Sequence, residues 1–252
     1  MLCCLQFCST ESREEAIRQA RRALSIGLGR RDAGRGKVSD KSVLKRISRG
    51  SKRLVVDFPL QSESADTVAG LASELLDEVA TEKTALCFGS AAACERAKTQ
   101  FNLANCFHAD ESIPRKLKAS SLVMVAVTEA QASSLLGNSR WNSVILINPK
   151  GGMGAKVSSS FDTVYEFLPL LVQGFMGSKA EGAMLKCLSD SPESDKWNIF
   201  LKDGKTFKRI ASQATRPDND ELELALYNNV ASSNPLIKGF KSVKETLFSK
   251  KD

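Results

Sequence analysis

The chain is 252 residues long, 42% hydrophobic and 26% charged, with a formal net charge of +7. That length can bury a large core, and no window approaches the roughly 18–20 uninterrupted apolar residues of a membrane-spanning helix, so a membrane role would fall to a surface or a partner. Seven cysteines at irregular spacing argue against a disulfide framework, and a single histidine, His108, with no CxxC pair argues against a zinc site.

The first ten residues, MLCCLQFCST, are apolar but short and follow no positive segment. They read neither as a secretory signal nor, with Glu11, Glu14 and Glu15 close behind, as a transit peptide. From Thr10 or Ser12 to Leu28 the spacing predicts an amphipathic helix. Ser12 with Glu15 fits a capping box, and Ala16, Ile17, Ala20, Ala23 and Leu24 share one face. Residues 27–50 are glycine-rich and basic and read as a segment too polar to fold alone. Residues 1–60 hold 14 basic against 6 acidic side chains, and ten of those basic residues lie between Arg30 and Arg53. The expected organisation is an N-terminal helix and flexible basic segment over residues 1–52, then a single α/β domain over 53–252.

Leu54 to Phe58 is a β-branched, apolar strand stopped by Pro59. Residues 64–80 form a helix capped by Ser64 with Thr67 at N3, burying Val68, Leu71, Leu75, Leu76 and Val79. A strand from Ala85 to Phe88 and a helix from Ser90 to Phe101 follow, then a loop through His108 and Pro114. Leu122 to Val127 is the next strand, Thr128 to Leu136 a short helix closed by Gly137-Asn138, and Val144 to Ile147 the fourth strand. Strands apolar on both faces, alternating with helices, predict a mostly parallel, doubly wound, Rossmann-like sheet with helices on both sides. The rhythm then changes. Residues 164–172, 180–188 and 197–202 read as extended, and Lys202-Asp203-Gly204-Lys205 is a hairpin signal leading into 206–211. Pro217 to Val230 is the last helix, with Leu222 and Leu226 on one face. The C-terminal half is thus expected to add antiparallel strands.

The stretch INPKGGMGAKV invites comparison with a phosphate-binding loop. Such a loop needs its Lys directly after the last glycine and a hydroxyl next, so that both reach phosphate and magnesium. Here Ala155 separates Gly154 from Lys156, and Val157 stands where the hydroxyl belongs. The chemical end of the motif is incomplete. Asp57, Asn148 and Asp110 fall at the C-terminal edge of the expected sheet, where open α/β sheets take ligands. The basic cluster from Arg30 to Arg53 lacks interleaved aromatics for base stacking, so nucleic acid is not expected as a partner.

RLVVDFPL after a basic helix, ILINP after a third βα unit, then VYEFLPLLVQGF, EGAMLKCL, WNIFLKDG and a closing TRPDNDELELAL occur in that order. Together these segments, over about residues 53–232, resemble a plant and cyanobacterial domain-of-unknown-function family that includes the chloroplast low photosystem II accumulation proteins. The resemblance implies a chloroplast protein, stromal or peripheral on the thylakoid, and a non-enzymatic role is favoured because no motif with complete chemistry is present and the single His and scattered carboxylates form no acid–base pair. Its implied role is assisting assembly or accumulation of photosystem II by binding a photosynthetic membrane protein or assembly factor. It carries over no catalytic residue, metal or cofactor. Candidate ligand or partner contacts are Asp57, Asn148, Lys150, Lys156, Gln173 and Glu181. The alternative is a nucleotide- or phosphate-binding α/β protein, and possible enzyme, working at Asp57, Asn148 and the Gly151–Lys156 loop.

Overall fold

The computed structural model describes residues 10–29, 52–60, 62–77, 80–114, 117–137, 141–151, 160–173, 179–189, 195–204 and 206–233. The basic segment, Val79, Asn138 and Lys156 lie outside the described residues. The elements run α1 (Thr10–Gly27), β1 (Lys52–Asp57), α2 (Ala65–Leu76), β2 (Thr84–Phe88), α3 (Ala91–Thr99), β3 (Cys106–His108), β4 (Ser121–Val125), α4 (Glu129–Leu136) and β5 (Ser143–Ile147). Then follow β6 (Asp162–Gln173), β7 (Lys179–Cys187), β8 (Trp197–Asp203), β9 (Thr206–Gln213) and α5 (Asn219–Ser233). The strands form one sheet in the order β3-β2-β4-β5-β1-β6-β7-β8-β9. Pairing is parallel from β3 through β6 and antiparallel for β7–β8 and β8–β9. The expected α/β class, mostly parallel with antiparallel strands at the C-terminal end, is what the chain adopts.

Two compact units divide the chain, one of residues 7–167 and 186–195, the other of 1–6, 168–185 and 196–252. In the first, the parallel strands bury both faces, as their continuous apolar runs require. One face carries Ala85, Cys87, Leu122, Met124, Val144 and Leu146 against Ala132 and Leu135 of α4 and the Trp141 ring. On the other, α1 packs on β1 and α2, and α2 on α3. Ala20, Ala23 and Leu24 of α1 are fully buried. The closeness of this packing explains Gly27, where a Cβ would stand 2.9 Å from Leu54 Cδ1. Helix starts follow the expected chemistry: Ser64 Oγ accepts from Thr67 N–H at 3.2 Å, and Thr128 forms a reciprocal capping box with Gln131.

In the second unit, Met184, Trp197 and Ile199 pack with Leu222 of α5. The approach of helix to sheet is close enough that a Cβ at Gly182 would meet Leu226 Cδ2 at 2.8 Å and Phe200 O at 2.5 Å. Asp218 caps α5: its Oδ1 accepts from Glu221 N–H at 2.8 Å, while Glu221 Oε2 accepts from Asp218 N–H at 3.1 Å.

Two expectations need correction. The loop through His108 contains a strand, β3, which pairs with the edge of β2 and makes 143–147 the fifth strand rather than the fourth. α1 starts at Thr10, so Ser12 lies inside its first turn instead of capping it.

Candidate functional site

Where β2 leads through α3 outward to β3, and β4 leads through α4 the other way to β5, the sheet reverses direction. This switch point is where open α/β sheets hold ligands at strand C-termini. In this chain it is filled from within. The backbone of Gly89 lies so close to Ala126 that a Cβ would stand 2.0 Å from Ala126 O. The Gln131 carboxamide donates to Gly89 O at 3.3 Å and to Asp110 Oδ1 at 3.0 Å, while Asp110 Oδ2 sits 3.6 Å from His108 Nε2.

The C-terminal edge brings Asn148 against β1. Its backbone is left-handed, at φ 47°, and its N–H donates to Val56 O at 3.0 Å. Its side-chain amide accepts from Phe58 N–H at 3.1 Å and donates to Phe58 O at 2.7 Å. Asn148 thus extends the β1–β5 ladder one step beyond the last strand pair. Asp57 stands next to this clamp, opposite Glu166 of β6 in register, and Glu166 is buried at 7% exposure. Sequence reasoning missed Glu166, because only strand register reveals which carboxylate faces which.

Asp110 shares the edge but not the neighbourhood. It follows β3, four strand spacings from β1, or roughly 19 Å at ~4.8 Å per spacing. Lys150 pairs with Glu63 at 3.5 Å. Gln173 ends β6, and Glu181, on β7 in the second unit, forms an ion pair with Lys202 of β8.

A further group of residues escaped the sequence reading. Lys52, Ser143, Ser121 and Thr84 occupy one row across β1, β5, β4 and β2, at the N-terminal edge of the strands. They line a cavity of about 260 Å³. The signal was present as a polar residue opening each apolar strand, yet it acquires meaning only once pairing sets the four side by side.

Fold and site together define an open-sheet α/β protein whose switch-point crevice is occupied by its own backbone and side chains. The chain matches the family described as Domain of unknown function (DUF1995) over residues 11–224, and it belongs to that family. The match begins well before residue 53, where the resemblance was expected to start, so α1 is part of the family's domain. No curated protein matches the chain. Among the described residues, no helix is long and apolar enough to cross a membrane.

Proposed function

We propose that this chain is a non-enzymatic chloroplast protein, stromal or peripheral on the thylakoid, that assists assembly or accumulation of photosystem II by holding a photosynthetic subunit or assembly factor. The observation that carries a binding role is a pair of exposed apolar side chains on α5, in the second unit: Leu224 and Tyr227 are 60% and 43% exposed. Leu222 and Leu226 are buried, so α5 spends a second set of apolar side chains, three residues apart, on its outer face. Gln173 and Glu181 belong to the β6–β7 stretch of the same unit. The choice of partner comes from the resemblance of the ordered segments to the chloroplast low photosystem II accumulation proteins. The nucleotide alternative, at Asp57, Asn148 and the Gly151–Lys156 loop, has less support: the loop's sequence is an incomplete phosphate-binding motif, and the Asn148 amide is engaged with Phe58 N–H and O.

The test is affinity capture from detergent-solubilised thylakoids, using the wild-type chain and a Leu224→Glu/Tyr227→Glu variant with an unchanged circular dichroism spectrum. The wild type should recover a chlorophyll-binding photosystem II subunit and the variant should not. A wild type that recovers no photosynthetic subunit, but whose melting midpoint rises with Mg-ATP or GTP, would overturn the proposal.

A further inference from the structure

The cavity at the N-terminal edge of the parallel strands lies within the first unit and is independent of the apolar surface on α5. Its polar side is the four-residue row already described, with the exposed Asn142 also lining it. At ~4.8 Å per strand, the row from Lys52 to Thr84 spans roughly 14 Å. Register partners in neighbouring strands project to the same face, so the Lys, two Ser and one Thr side chains line up above that face. Two residues further along each middle strand, Val123 and Ile145 give the cavity an apolar floor. Thr84 and Ser143 are 6% and 9% exposed, in a face otherwise built from Leu54, Leu86, Val123 and Ile145. Filling the core does not call for hydroxyls at these positions.

The donors and acceptors in the row are unevenly committed. Ser143 Oγ–H donates to Ser121 Oγ at 2.8 Å, which leaves the Ser121 proton available. Thr84 Oγ1 accepts from Thr81 N–H at 2.9 Å. Lys52 Nζ donates to Leu28 O, a carbonyl just past the C-terminus of α1, and an ammonium has three protons to give. The site therefore presents the remaining Lys52 donors and the Ser121 hydroxyl toward one space, above an apolar floor. A group that accepts from all of them while carrying a negative charge fits that chemistry. A phosphate would bring two charges to a single described cation, beside the carbonyl end of α1. A carboxylate brings one charge, two acceptor oxygens and an organic body for the apolar floor.

The geometry points to a binding site for a small organic carboxylate with an apolar body, its carboxylate held by Lys52 and Ser121 and its body resting on Val123 and Ile145. The cavity volume of about 260 Å³ lies at the small end of small-molecule sites, roughly 300 to 1,000 Å³, and suits a compact acid.

The experiment titrates the full chain with benzoate and butyrate, with the neutral analogues benzamide and butanol, and with inorganic phosphate, followed by backbone amide NMR shifts. Benzoate or butyrate should give saturable shifts centred on Ser121, Val123, Ser143 and Ile145, with the neutral analogues and phosphate weaker. Lys52→Met and, separately, Ser121→Ala should each weaken the carboxylate, the lysine change about tenfold or more, as loss of a charged hydrogen bond implies. Ser121→Ala keeps the Lys52–Leu28 contact, so it reads the site even if Lys52→Met disturbs α1. Equal responses to acid and amide, shifts that avoid these strands, or no saturable shift with either acid would overturn the assignment, and would leave the cavity to ordered water.

Discussion

Asn148 grips both backbone polar groups of Phe58: its amide nitrogen lies 2.7 Å from Phe58 O and its amide oxygen 3.1 Å from Phe58 N. The two residues are 90 apart in the chain, and this clamp fixes the end of β1 against the end of β5. Asn is the residue type suited to it, since it tolerates the left-handed backbone and carries both a donor and an acceptor. Asn148→Ala should cost about 2–4 kcal/mol, from two hydrogen bonds at ~1 kcal/mol each plus the left-handed backbone penalty. Asn148→Gly loses the bonds but not the backbone fit, so it should be milder by about 1 kcal/mol. Urea unfolding of the pair checks this. Equal losses would mean that the positive φ carries no strain.

Gly89 admits no side chain. Adding a Cβ would place it 2.0 Å from the backbone oxygen of Ala126, an atom that cannot rotate away. Gly89→Ala should destabilise by about 3 kcal/mol or more, or yield no folded protein, because the end of β2 must move away from β4. Soluble expression and thermal melting measure it. A variant within ~1 kcal/mol of wild type would show the switch point to be loose, and would reopen it as a ligand crevice.

Leu24 on α1 is fully buried, so Leu24→Ala should cost about 2–5 kcal/mol in urea unfolding. The same change on a helix merely tethered by the basic segment would cost almost nothing. The measurement therefore decides whether residues 10–27 belong thermodynamically to the sheet they cover.

Burial, with a smaller push from Cys94, raises the Cys87 thiol from 9.0 to about 12, and burial likewise holds Cys106 at about 12. Both should resist iodoacetamide at pH 8.5 in the native protein and react on unfolding. The linked stability follows in sign. The unfolded thiols ionise near pH 9 while the folded ones stay protonated, so their contribution is complete below pH 9 and declines as pH rises from 9 toward 12. Urea midpoints at pH 8 and pH 10 should therefore fall, and Cys87→Ala should make the fall smaller. An identical fall in that variant would place the titration elsewhere.

Most strands were legible because continuous apolar runs such as 122–127 and 144–147 can belong only to a sheet covered on both faces. β3 was not, since three residues at a sheet edge show no periodicity, and its identity comes from pairing Cys106, Phe107 and His108 with Leu86, Cys87 and Phe88. Asp57 and Asn148 were found because each ends an apolar run, and the fold rule places such ends on one edge. Glu166, Ser121 and Ser143 were not, because their importance lies in which residue of a distant strand stands beside them. A one-residue slip in register would separate them.

The placement of β1 has a consequence in time. β1 sits between β5 and β6, so both of its partners are made after it: Lys52 waits for Ser143, and Leu54 waits for Asp162. A ribosome adding roughly 5–20 residues per second exposes β1 for several seconds before either neighbour emerges. During that interval Leu54, Val55 and Val56 form an unpaired apolar strand, open to chaperones and to misassociation. The pairings of β1 with β5 and β6 join residues far apart in the sequence, and such non-local contacts slow folding.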